Sequence, residues 1–111
     1  MMNRLNEYRV MWILVLYDLP TQTQKQRKSA AKFRKRIMSD GFNMFQFSIY
    51  IRNCSSLENA EVHIKRVKSM MPDEGHIGIF KITDKQFSEI EIFNCKAKMQ
   101  ARKPPLQLEF F

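Results

Sequence analysis

Eight successive residues, Val10-Met11-Trp12-Ile13-Leu14-Val15-Leu16-Tyr17, are apolar or aromatic, and Asp18-Leu19-Pro20 ends the run. No other feature constrains the fold as much. A helix crossing a bilayer needs about 20 such residues. No small-residue cleavage site follows the run, so a secretory signal does not fit either. A strand that is apolar on both sides belongs in the middle of a sheet with material over both faces. The chain of 111 residues is one domain's worth. That length is enough to fold on a hydrophobic core without disulfides or metal.

After this strand the spacing predicts a long helix over about residues 22 to 40. Thr21 with Gln24, or Thr23 with Gln26, can form a capping box, and Gly41 is a good stop. Ala30, Phe33 and Ile37 fall on one stripe, with Lys25, Lys28, Lys32, Lys35 and Arg36 opposite and Arg27 and Arg34 flanking. Phe42 to Ile51 alternates like one strand. Phe45, Phe47, Ile49 and Ile51 would share one face, and Met44, Gln46, Ser48 and Tyr50 the other. A second helix is expected from Ser55 or Ser56, with Ser55 and Glu58 as a capping box, an apolar stripe of Ala60, Ile64, Val67 and Met71, and Pro72 as its end. Gly75 to Ile82 reads as a strand, Thr83 as the cap of a helical turn through Phe87, and Glu91 to Cys95 as a further strand. Residues 1 to 9 are polar and expected to be loose. Lys96 to Lys103 reads as a basic connector, and Leu106 to Phe111 as a terminal strand. The expected fold is α+β, a ferredoxin-like β-α-β-β-α-β antiparallel sheet with an additional C-terminal strand, in one domain spanning residues 1 to 111.

Charge narrows the function. Nineteen Lys and Arg stand against eleven Asp and Glu, a formal net charge of +8. Such a surplus gathers polyanions, nucleic acid first and anionic membrane second. The predicted first helix concentrates it, since no acid occurs between Asp18 and Asp40. About 19 residues at 1.5 Å each would run about 28 Å along a phosphate backbone. Lys25, Arg27, Lys28, Lys32, Lys35 and Arg36 are the expected contacts, and no base-reading motif accompanies them. An RNA-recognition module shares the topology, and Phe45 and Phe47 could stand in for its stacking aromatics, but its glycine-containing signature is absent. With only three Gly there is no phosphate-binding loop. Cys54 and Cys95, and His63 and His76, fit no zinc spacing, so a reducing, cytoplasmic setting is expected.

An uncovered sheet face would expose Trp12 or Leu14, and such a face calls for a partner. A sheet-to-sheet homodimer is therefore expected, with Tyr17, Gln46, Ser48 and Tyr50 at its interface. The terminal strand is expected to pair with the partner subunit's sheet. Asp18 would stand at the sheet rim near the two-fold axis. Two copies of it could share one Mg2+, which takes oxygen ligands and keeps several waters. The plainer reading of Asp18 is a turn residue before Pro20.

These residues also carry a resemblance. Tyr17-Asp18-Leu19-Pro20-Thr21, the helix with Arg27-Lys28 and Phe33-Arg34-Lys35, Gly41-Phe42, Gln46-Phe47-Ser48-Ile49-Tyr50 and Thr83-Asp84-Lys85-Gln86-Phe87 together resemble CRISPR-associated protein 2. The likeness runs from about Met11 to Phe93, and Thr83 to Phe87 is most similar to members from type II systems. The resemblance implies a cytoplasmic homodimer acting in spacer acquisition. It would bridge dimers of the CRISPR-associated protein 1 integrase and bind the double-stranded DNA prespacer through basic residues of the first helix region. It further implies Asp18 as catalytic and Mg2+-binding, in an endonuclease acting on DNA or single-stranded RNA. The chain departs from the family pattern at Thr21 to Gln24, where several members carry acids, and at Met44, where some carry arginine. The alternative is a general RNA- or DNA-binding module of the same topology without a CRISPR role.

Overall fold

The computed structural model describes residues 10–95, which form β1 (Met11–Asp18), α1 (Gln24–Ser39), β2 (Asn43–Gln46), β3 (Ile49–Cys54), α2 (Leu57–Ser69), β4 (His76–Thr83) and α3 (Asp84–Ser88). The expected N-terminal tail, basic connector and terminal strand lie outside the described residues. Four strands make one sheet in the order β2-β3-β1-β4, and every neighbouring pair is antiparallel. The apolar run is thus an inner strand, as its lack of a polar face requires. Met11, Ile13 and Val15 point to one side and are buried with Phe33 and Ile37 of α1 and Ala60, Ile64 and Val67 of α2. Trp12, Leu14 and Leu16 alternate to the other side and are half-buried.

α1 starts where the second capping option places it. Thr23 Oγ1 accepts from the Gln26 amide at 3.0 Å, and Gln26 Oε1 accepts from the Thr23 amide at 3.0 Å. Gly41 follows the helix with φ +97°. That backbone conformation favours glycine, and a Cβ there would stand 2.8 Å from Arg52 Nε, so the Arg52 side chain would have to shift. α2 is capped by Ser56, whose Oγ accepts from the Asn59 amide at 3.0 Å, rather than by a Ser55–Glu58 box. Met71 is exposed beyond its end, and His63 joins Ala60, Ile64 and Val67 on the buried face instead.

The largest correction concerns residues 42 to 51. They form a hairpin, not one strand. The chain reverses at Phe47-Ser48, with Ser48 at φ +64°, a region that non-glycine residues enter at a cost. A register shift between Met44 and Gln46 then breaks the alternation on β2. Gln46, Ser48 and Tyr50 therefore do not share a face. Residues 91–95 form no strand, because no ladder partner runs beside them among the described residues. α3 is capped by Thr83 as expected, with Gln86 completing a capping box, and covers part of the sheet's second face. Its Phe87 is buried and stacks on Trp12 at 3.9 Å, and Trp12 Nε1 donates to Asp84 Oδ1 at 2.8 Å.

One polar cluster joins three elements. Asp40, just after α1, holds His63 Nδ1 at 2.7 Å and Arg66 Nη1 at 2.8 Å with its two carboxylate oxygens, and its side chain is 8% exposed. Arg52 Nε of β3 donates to the Asp40 carbonyl at 2.7 Å. Burial alone would raise the Asp40 pKa, but the hydrogen bonds and charges of His63 and Arg66 outweigh it and hold the carboxyl below its ordinary value. A group depressed in the folded state stabilises above its unfolded pKa and loses that contribution as pH falls through the folded one. The melting temperature should therefore drop between about pH 5 and pH 3, and Asp40→Asn should flatten that part of the curve. An acid limb of unchanged steepness in the variant would remove this assignment.

Candidate functional site

Asp18 is the last residue of β1, exposed at the sheet rim, and His76 is its register partner on β4. Gly75 locks the preceding loop onto this corner. Its φ is +109°, and a Cβ would stand 2.5 Å from Leu19 Cδ2 and 2.9 Å from the Asp18 carbonyl oxygen. Asp18 opens into a cleft lined by Tyr17, Thr21, Arg27, Arg34 and Ser48. Tyr17 packs edge-on to Phe33 at 5.4 Å and stacks on Tyr50 at 5.9 Å. Burial first, then the paired Tyr50 hydroxyl, pushes the Tyr17 pKa up to about 12, with Arg34 pulling the other way. At neutral pH its hydroxyl thus stays protonated and supplies no anionic ligand.

A divalent cation therefore finds one carboxylate in this cleft. No group of three or more His, Cys, Asp or Glu side chains is placed to hold a metal among the described residues. Mg2+ needs only one or two protein carboxylates and keeps waters on its other positions. The donor set fits that ion if a second copy brings its own Asp18 to the same point, and one chain alone gives a weak site. His76 offers nitrogen, a poor donor for Mg2+.

The basic helix forms the larger feature. Lys25, Arg27, Lys28, Lys32, Arg34, Lys35 and Arg36 are all exposed. None of them makes an ion pair among the described residues. Lys28, Lys32, Lys35 and Arg36 come together along one open groove that continues past Ala31 and Ser39 to Met70 at the end of α2. Like charges four apart on a helix cost about 0.2–0.5 kcal/mol per pair. The Lys28–Lys32 and Lys32–Arg36 spacings carry that cost, and none of the three is paired with an acid among the described residues.

The other two expected contacts sit apart from the four. Lys25 lines a separate cleft with Asp73 and Glu74. Arg27 braces the β1–α1 loop, its Nη1 donating to the Thr21 and Gln22 carbonyls at 3.0 and 3.2 Å. Arg34 is a cation the expected set omitted, although its seven-residue offset from Arg27 already placed it on the same face. His76 carried no signal, because the register of β4 is not legible in sequence.

Of the four expected interface residues, Tyr50 is corrected. It is 2% exposed and lies in the subunit's own core against Tyr17. Ser48 lies in the hairpin turn, its carbonyl accepting from the Tyr17 amide at 3.1 Å, and Gln46 is exposed at the end of β2. The sheet's second face is covered at Trp12 by Phe87 and left open around Leu14, Leu16 and Phe80, the last 55% exposed. Phe47, at the hairpin tip, is 89% exposed.

The family described as CRISPR associated protein Cas2 matches residues 11–90. A protein of Flavobacterium psychrophilum is 57% identical over 108 residues, covering 97% of this chain and 94% of its own length. One from Parvibaculum lavamentivorans is 45% identical over 101 residues, covering 91% of this chain and 100% of its own. Both carry the name CRISPR-associated endoribonuclease Cas2. A solved structure described as a crystal structure of cas2 has a similar fold, with a TM-score of 0.53 and 16% identity over 81% of this chain and 94% of that one. No helix among the described residues is long and apolar enough to cross a membrane.

Proposed function

Because the chain belongs to the CRISPR associated protein Cas2 family, we propose that it serves CRISPR spacer acquisition as a homodimer that holds the prespacer DNA duplex between dimers of the CRISPR-associated protein 1 integrase in the cytoplasm. The observation that carries the reading is the α1 face, where Lys28, Lys32, Lys35 and Arg36 line one groove and none of them is paired with an acid among the described residues. Such a face favours phosphates, and no base-reading motif accompanies it among the described residues. The partly open sheet face at Leu14, Leu16 and Phe80 supports pairing with a second copy, in a ferredoxin-like dimer joined through its sheets. The stretch Thr83 to Phe87 supports a type II system. The test is a titration of the full chain with two DNA duplexes of unrelated sequence. They should bind with equal affinity, and a more than tenfold preference for either would overturn backbone recognition.

A second reading is favoured by the name the relatives share, endoribonuclease. Here Asp18 of each subunit would hold one Mg2+, which supplies polarisation of a phosphodiester or a more acidic bound water. The chain's own contribution would be to place that carboxylate and to bring phosphate beside it with Arg27 and Arg34. Single-stranded RNA, or DNA, should then be cut with Mg2+ and left whole with EDTA or in Asp18→Ala. Cleavage that survives Asp18→Ala would remove Asp18 from the reaction.

A further inference from the structure

Asp40 is the only acid between Leu19 and Leu57. It sits directly after α1, at the end of the cationic groove, where a free carboxylate would oppose both the helix dipole and an approaching phosphate. The fold turns it inward. One oxygen holds His63 and the other Arg66, and a second guanidinium, that of Arg52, is bonded to the Asp40 backbone carbonyl. One guanidinium and an imidazole thus hold the carboxylate and a second guanidinium holds the backbone carbonyl, so two arginines outnumber the one acid at this corner. What reaches solvent is the cation, since the Arg66 side chain is 56% exposed and that of Asp40 only 8%.

Arg66 lies one turn before Met70 on α2, and Met70 is the α2 residue that lines the groove of Lys28, Lys32, Lys35 and Arg36. Residues four apart on a helix are surface neighbours. Arg66 is unlike the other cations of that helix turn in one respect. Lys65 and Lys68 lie close enough to Glu61 to lower its pKa, and Glu61 is itself paired with Lys81. Arg66 is instead tethered by a single charge-assisted bond through Nη1, which leaves the rest of a five-donor fork to be presented in a set orientation. A cation already held in place loses less freedom on binding than a loose lysine does.

We propose that Asp40 is a positioning residue that holds Arg66 as a phosphate contact, carrying the nucleic-acid surface across the groove from α1 onto α2. The proposal rests on the nucleic-acid reading of α1 and adds a second helix to it. The Asp40–Arg66 pair would then act as an electrostatic bracket at the end of the track, not only as a fold staple.

The experiment follows the salt dependence of binding by the full chain to a mixed-sequence DNA duplex, for wild type, Arg66→Ala, Arg66→Lys and Asp40→Asn, with thermal melting of each. Each neutralised phosphate contributes about 0.9 to the slope of log K against log salt. Arg66→Ala should lower the slope magnitude by about one per chain engaged and weaken binding about tenfold. Arg66→Lys should retain most of the slope. Asp40→Asn removes a negative charge and by charge alone would tighten binding. Release of Arg66 should instead leave it no tighter than wild type. A folded Arg66→Ala variant with a lower melting temperature but an unchanged slope would make Arg66 structural only and overturn the proposal. If Lys28→Glu/Lys32→Glu weakens binding while Arg66→Ala does not, this inference alone fails. If both leave binding unchanged, the reading of α1 fails with it.

Discussion

Reversing charge at Lys28 and Lys32 together should weaken binding to a DNA duplex by about a hundredfold or more near physiological salt, and should make the remaining binding less sensitive to salt. Both side chains line the same groove, and no acid pairs with either among the described residues. On the proposed function, the double variant would lose two phosphate contacts in each chain and replace them with two repulsions. On the proposed backbone recognition, the loss should be uniform across sequences. Folding should be unaffected beyond about 0.5 kcal/mol, since exposed substitutions away from caps and ion pairs rarely cost more. Titration with labelled duplexes at several salt concentrations checks both parts. A double variant that binds as tightly as wild type would show that the groove is an ordinary solvated helix face.

Phe33→Ala should cost about 3–5 kcal/mol, the range for truncating a buried aromatic ring. Phe33 is 1% exposed, meets the edge of Tyr17 at 5.4 Å, and lies in the cluster that joins α1 to β1. A domain of this size has only about 5–15 kcal/mol of stability, so the urea midpoint should fall by about a fifth or more. The same ring ties the cationic helix to the strand that ends in Asp18, and binding should fail wherever folding does. A midpoint shift equivalent to less than about 1.5 kcal/mol, which is the size of a well-tolerated hydrophobic swap, would mean that α1 is held by something other than this contact.

The parts of the fold that were legible share a property: each was written in neighbouring residues. Val10 to Tyr17 declares a buried inner strand because eight side chains in a row avoid water. α1 announces its start through Thr23 and Gln26, its buried face through Phe33 and Ile37, and its end through Gly41. The hairpin at Phe47-Ser48 was not legible, because its turn lacks the Gly, Asn or Asp that usually marks a left-handed residue. An apolar Phe47 at the tip made the two strands read as one. The face of Tyr50 was not legible either, because it is set by the β1–β3 register, which pairs Tyr50 with the core residue Val15.

The candidate site divides along the same line. The lysines of α1 follow from helical periodicity alone, and so does their exposure. Contacts across the fold do not. Asp40 lies 23 residues from His63 and 26 from Arg66, so nothing in local spacing foretells that its charge is spent internally. His76 stands opposite Asp18 only through the β1–β4 register. The family likeness placed Asp18 and the basic helix in a functional frame.

The measurement that bears most directly on the proposed role is the salt dependence of duplex binding by the unmodified protein. If the open face of α1 holds a phosphate backbone, log K should fall linearly with log salt, with a slope steeper than about −3, because at least four phosphates are neutralised at about 0.9 each. A slope near zero, or binding that high salt leaves intact, would contradict that role.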